Sequence, residues 1–252
     1  MMPRWLVAAL AAFSLLLATP ITARAADQVD LLLVLAADVS RSIDDQKFEL
    51  ERRGYAAALS DPQVLQAIAS GPNGRIAIAF VEWAGASSQR LVIDWTLIRN
   101  GEDAKGFAGR LLESPRSFAD RTAIGAGIDF ARAQFARSPY ASDRHVIDVS
   151  GDGTNNSGRD VREARDDAVA ADVTTINGLA ILSTTPIPYN PEHTNPPGGL
   201  ENYYRENVVG GTNAFVMVAE SFESFGKSII AKLVREISAL PDRDGRGPAK
   251  RG

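Results

Sequence analysis

Apolar residues fall along this chain in two alternating patterns. Short unbroken runs are separated by stretches in which apolar positions recur every three or four residues. Residues 31–35 (LLLVL) form the first run and read as a strand buried on both faces. Further strands are predicted over 75–83 (RIAIAFVEW), 90–95, 145–150 (HVIDVS), 173–182 and 213–219 (NAFVMVA), the second and third close enough to form a hairpin. Between the runs, Phe48, Tyr55 and Leu59 share one helical face up to Asp61-Pro62, and Asp44 and Asp45 place negative charge in the first turn. Ala104, Phe107, Ala108 and Leu111 predict a helix over 101–112, and Gly71-Pro72-Asn73-Gly74 is a turn. Ile124, Ile128, Ala131 and Phe135 mark another helix, and Val161, Ala164, Ala168 and Ala171 a further one. The clearest helical period is Phe222, Phe225, Ile229, Leu233 and Ile237.

Strands alternating with helices predict an α/β fold, with a mainly parallel sheet covered on both faces. In such open sheets ligands gather beyond the carboxyl ends of the strands. Asp38, Asp152 and the loop after Leu182 all fall at such ends, and Thr122 lies at a helix start that can face the same edge. There is no internal repeat and no sign of a second domain.

Composition narrows the setting. The 252 residues are 45% hydrophobic and 23% charged, ordinary for one globular α/β domain. Arg4, an apolar core over 5–18 and Ala23-Arg24-Ala25 read as a signal peptide over 1–25. That core falls short of the roughly 20 residues a membrane span needs, which leaves an uncleaved N-terminal anchor as the alternative. The domain is expected over 26–240, followed by a basic, Gly/Pro-rich disordered tail over 241–252. No cysteine is present, which excludes disulfides, thiolate catalysis and zinc-thiolate sites. An exported chain of this kind points to a periplasmic or secreted protein held together by its core. Removing Arg4 and Arg24 takes the formal charge from −4 to about −6. A mildly acidic chain has no electrostatic reason to seek nucleic acid or an anionic membrane.

Candidate chemistry begins where the first strand ends. Asp38, Ser40 and Ser42 occupy alternate positions, so a carboxylate and two hydroxyls leave a buried strand together. Oxygen-only ligands suit a hard cation such as Mg²⁺. The competing reading is local: Ser42 or Asp44 caps the next helix, Asp38 caps backbone amides, and Asp152-Gly153 is a plain turn.

Taken together, Asp38-x-Ser40-x-Ser42, Thr122 opening a helix, and Asp152-Gly153 after a later strand resemble the von Willebrand factor type A (vWA) domain. The resemblance spans roughly 29–239 and is strongest to an uncharacterised branch of exported bacterial vWA-like proteins. It implies a three-layer Rossmann-like fold: a mainly parallel six-stranded sheet with one antiparallel edge strand and helices on both faces. It also implies a metal-ion-dependent adhesion site (MIDAS) in which Asp38, Ser40, Ser42, Thr122 and Asp152 hold Mg²⁺, or Mn²⁺ or Ca²⁺ in its place. Two carboxylates then balance the ion, and one coordination place is left for an Asp or Glu of a partner protein. Gly125 and Gly153 are expected to allow tight turns beside it. The chain departs from the pattern in having Ser150-Gly151 before Asp152, and in Arg41 and Arg121 beside the ligands, with Asp120 offsetting part of that charge.

The loop over 184–199 (TTPIPYNPEHTNPPGG) is too long for a mere connector, and its Tyr189, Glu192 and His193, with Arg41 and Arg121, are expected to shape partner access. His145 is expected to be packed. Asp148, in an apolar strand, needs a partner such as Arg144 or Arg75, and Glu82 and Trp83 reach the same end of the sheet. Catalysis is disfavoured, because neither histidine lies within the metal motifs and no Walker, GxSxG or dinucleotide fingerprint is present. Ser40 also stands where aspartyl phosphotransferases carry a second carboxylate. The expected function is therefore a metal-dependent protein-binding module, not an enzyme. The alternatives are a scaffold with structural metal and partners on its helical faces, and less readily a Mg²⁺-dependent hydrolase.

Overall fold

The computed structural model of the chain describes residues 26–183 and 190–239. The expected signal peptide, the tail over 241–252 and Tyr189 lie outside those residues. In chain order the elements are β1 (Asp27–Gln28), β2 (Leu32–Asp38), α1 (Asp45–Leu59), α2 (Pro62–Ala69), β3 (Ile76–Trp83), β4 (Gln89–Ile98) and α3 (Gly101–Glu113). Then follow α4 (Ile124–Phe135), β5 (Tyr140–Ala141), β6 (His145–Gly151), α5 (Val161–Ala171) and β7 (Thr175–Ile181). Two short helices, α6 (Pro191–Thr194) and α7 (Leu200–Tyr203), run into a π turn over Tyr204–Val208; β8 (Gly210–Gly211), β9 (Val216–Ala219) and α8 (Phe225–Ser238) close the chain.

The main sheet runs β4-β3-β2-β6-β7, with β8 and β9 sharing the outer side of β7. β3, β2, β6, β7 and β9 are mutually parallel, while β4 forms the antiparallel hairpin at one edge. β8 pairs antiparallel with the start of β7, and β9 parallel with its end. This is the expected doubly covered sheet, with a two-residue strand added at the far edge.

Alternation in β2 shows how the two faces are built, since successive side chains of a strand point to opposite sides. Leu31, Leu33 and Leu35 enter one core with Tyr55, Phe80, Phe107, Phe225 and Leu233, beneath α1, α2, α3 and α8. Leu32, Val34 and Ala36 enter the other with Trp83, Ile128, Ile147 and Ala164, beneath α4 and α5. Every residue of β2 is buried, which is why its sequence reads as an unbroken apolar run.

Two helical segments escape the sequence pattern. Asp61-Pro62 reads as a terminator, yet Pro62 opens α2 and the Asp61 side chain caps it by accepting from Gln63 N at 2.8 Å. Proline lacks only an N–H that the first helical turn leaves unpaired anyway, so it starts helices as readily as it ends them. The segment from α7 through the π turn has no periodic face to announce it.

Asp148 is corrected in its partner. Neither Arg144 nor Arg75 reaches it; Lys232 from α8 does, with Nζ 2.5 Å from Asp148 Oδ1 and 2.5 Å from Glu236 Oε1. Asn177 Nδ2 donates to Glu236 at 2.9 Å, and Arg144 donates to the Glu236 backbone carbonyl. Glu82 is likewise structural, paired with Arg52 and accepting from Ser117 N. Trp83 packs as expected, its indole donating to Ala36 O at 3.0 Å. His145 stacks on Phe135.

Candidate metal centre

β2 leads to β3 on one side and, by way of α4, the chain returns as β6 on the other. The carboxyl ends of β2 and β6 therefore border a crevice where chain direction divides, the usual ligand place in such sheets. Asp38 is the last residue of β2 and Asp152 directly follows β6; both are fully buried.

The loop between β2 and α1 is held in shape by its own groups. Asp38 Oδ1 accepts from Ser40 N at 2.7 Å, and Ser40 Oγ lies 3.0 Å from Ser42 Oγ. Ser42 Oγ donates to Asp152 Oδ1 at 2.5 Å, joining the two strand ends. Arg116 clamps the loop from outside, donating to Val39 O and Ser40 O at 2.8 Å each. Arg41 N donates to Asp120 O at 2.9 Å, which brings the segment before α4 alongside. Thr122, two residues on, is buried and donates its backbone N–H to Asn156 Oδ1.

The capping reading holds in part. Asp44, not Ser42, caps α1, accepting from Lys47 N. Asp38 Oδ1 does receive a backbone amide, but its Oδ2 is buried without a partner. Capping leaves that oxygen and the hydroxyl pair unexplained. Burial, with the charge of Asp152 nearby, pushes the Asp38 carboxyl up to about 8. An orphaned buried carboxylate oxygen beside a second carboxylate and two hydroxyls is what a hard cation relieves, so the donor set fits such an ion. Among the described residues no three His, Cys, Asp or Glu side chains converge as a metal cage. The set consists instead of two carboxylates with hydroxyls.

His193 is drawn into this site. The proline-rich loop carries it on α6, where it is buried. Its Nε2 lies 3.2 Å from Thr122 Oγ1, its Nδ1 3.3 Å from Thr154 Oγ1, and its backbone carbonyl accepts from Thr154 N at 2.8 Å. Burial holds its pKa below the usual imidazole value. The ring occupies the space over Gly153, where a Cβ would stand 2.3 Å from Nε2. Gly153 therefore serves close approach, and neither it nor Gly125 has the left-handed backbone expected of a tight turn.

Of the expected rim residues, Arg41, Arg121 and Glu192 are exposed. Asp120 lies near both arginines: hydrogen bonds from Arg121 N and Ser88 Oγ, and the charges of Arg41 and Arg121, hold its carboxyl below the usual carboxylate range.

Three further residues take roles here that the sequence did not show. Lys47 reaches Asp152 from α1. Ser150 is turned away from the crevice, accepting from Tyr55 and donating to Glu51 at 2.9 Å each, and burial pushes Glu51 up to about 8. Tyr204, from the π turn, brings a buried and unpartnered hydroxyl over Gly151, where an added Cβ would meet it at 2.6 Å and Asp38 Oδ2 at 2.9 Å.

Solved structures of similar fold share little sequence. Proximal thread matrix protein 1 from the mussel byssus, solved with a zinc-occupied MIDAS motif, is 15% identical with a TM-score of 0.57; the match covers 84% of this chain and 49% of that one. The pilus adhesin SpaC from Lactobacillus rhamnosus GG is 12% identical (TM-score 0.58), with 84% and 31% covered. A von Willebrand factor type A protein from Catenulispora acidiphila is 14% identical (TM-score 0.50), with 83% and 43% covered. This chain thus spans about half the length of these proteins or less. No curated protein matches it. The likeness shows the vWA fold, and a family model matching residues 28–241 sets the chain within it: the chain belongs to the family described as "Protein of unknown function (DUF1194)".

Proposed function

We propose that this domain is a metal-dependent protein-binding module of adhesion or scaffold type. A divalent ion, Mg²⁺ with Mn²⁺ or Ca²⁺ as substitutes, is held by Asp38, Ser40, Ser42, Thr122 and Asp152, and it recruits an acidic side chain of a partner protein. The observation that carries the reading is the buried, unpartnered Asp38 Oδ2 beside the Ser40–Ser42–Asp152 oxygens, at the crevice where two parallel strands end. When bound, the ion supplies a Lewis-acidic position for an outside carboxylate. The chain's own groups order the loop, seal its floor and present Arg41 and Arg121 on the rim. Export agrees with the acidic, cysteine-free composition, and no helix among the described residues is long and apolar enough to cross a membrane.

The test is capture of partners from a periplasmic extract, with and without chelator, by the wild type and by Asp38→Ala. Chelator-sensitive capture that the variant loses supports the reading. Equal capture by both, with folding intact, moves partner binding to the helical faces.

A second reading gains from His193. A neutral imidazole 3.2 Å from the Thr122 hydroxyl places a base beside the site, where the sequence motifs had none. Mg²⁺-dependent turnover of a generic phosphoester, abolished by His193→Ala, would establish a hydrolase instead.

A further inference from the structure

Lys47 adds a charge to the site that the adhesion motif does not contain. It lies in the first turn of α1, and helical side chains lean toward the helix N-terminus, here toward the serine loop. Its Nζ lies 3.3 Å from Asp152 Oδ2, donates to Ser42 O at 2.8 Å, and stands 5.0 Å from the centre of the Phe222 ring. Asp44 fixes that turn by accepting from Lys47 N at 2.9 Å. The ammonium is thus held by the serine loop, the end of β6 and Phe222 ahead of α8, with its side chain only 23% exposed. A lysine so placed is part of the site and not a passing surface charge.

Charge counting gives the consequence. Asp38 and Asp152 together balance one divalent ion, but Lys47 already answers half of that charge at Asp152. An entering ion brings one positive charge in excess, which an outside anion removes.

We propose that Lys47 is a built-in competitor for the cation, so that the divalent ion and the acidic group of the partner bind as a pair, each weakly without the other. This rests on the ion reading given above. Coupling of this kind is reciprocal: whatever the anion adds to ion affinity, the ion adds to anion affinity. Such a site holds a free cation only weakly and fills when both halves of the ligand arrive.

The test is calorimetric titration of the mature chain with Mn²⁺, alone and in the presence of acetate, for the wild type, Lys47→Met, Lys47→Arg and Asp38→Ala, with circular dichroism to check folding. Lys47→Met is expected to bind Mn²⁺ alone at least about tenfold more tightly than wild type, since a unit charge a few ångströms from the ion is removed. Lys47→Arg should behave as wild type, and acetate should strengthen binding in the wild type more than in Lys47→Met. If Lys47→Met binds equally or more weakly while Asp38→Ala abolishes binding, the competitor role is overturned and the ion site stands. Tightening in Lys47→Arg as well would overturn it too, because charge would not be the cause. If no folded variant binds Mn²⁺, the ion reading falls, and this proposal with it.

Discussion

Strand β6 and the residue that follows it supply two buried aspartates four positions apart, and the chain treats them in opposite ways. Asp148 sits in mid-strand and meets Lys232, both side chains fully inaccessible, with Glu236 and Asn177 completing the cluster. Asp152 lies just past the strand's end and meets Ser42 and a lysine that remains partly open to solvent. Depth in the sheet separates the two. A charge in the middle must be answered by the fold itself, because nothing can arrive later; a charge at the carboxyl edge can be answered by something that comes and goes. The first cluster therefore serves stability, and the second lies where the proposed ion would exchange.

The largest effect should come from breaking the sealed cluster. Lys232→Met leaves Asp148 and Glu236 buried without their cation, and losing one partner of a buried pair costs on the order of 3–5 kcal/mol. Urea unfolding should show this loss with and without Mg²⁺ alike. Lys47→Met, at the open cluster, should cost less, about 1 kcal/mol, because water reaches the lysine end of the pair.

pH sharpens the contrast. Asp38 and Glu51, each raised to about 8, and Glu236, raised to about 7, bind protons more strongly folded than unfolded. Linkage then makes the metal-free chain lose stability as pH rises from about 4 to about 8. Mg²⁺ should restore only the part due to Asp38 and its neighbours, so its effect on Tm should be larger at pH 8 than at pH 5. Asp38→Asn should remove that metal-dependent gain while leaving the decline due to Glu236. Thermal melts at both pH values, with and without Mg²⁺, measure each of these.

An effect smaller than that of Lys232→Met is expected at the cover of the open site. In Gly153→Ala the new methyl meets the His193 ring, and such overpacking costs about 1–3 kcal/mol. Because the segment carrying His193 moves instead of the core, faster proteolysis within 190–199 should accompany a modest fall in Tm.

Much of this was legible in the chain. The apolar runs located the strands because strands buried on both faces leave no polar alternation to misread, and Asp38, Ser40, Ser42 and Asp152 fell at strand ends that the topology brings together. What escaped has a common cause. Lys232, Lys47 and Tyr204 act through pairings between elements far apart in sequence, and periodicity carries no trace of which helix position faces which strand. Pro62 reads as a terminator because one residue serves both to stop a helix and to start one. His193 was placed on the right face, but only packing against Gly153 reveals that it is buried in the site.

The division of the last sheet position between β8 and β9 has a consequence for assembly. An incoming strand needs a continuous row of free amides and carbonyls to pair with. Here that border presents one two-residue piece and one four-residue piece, running in opposite senses relative to β7. Copies of the domain thus lack a template for zipping edge to edge on that side, which guards the chain against fibrous aggregation.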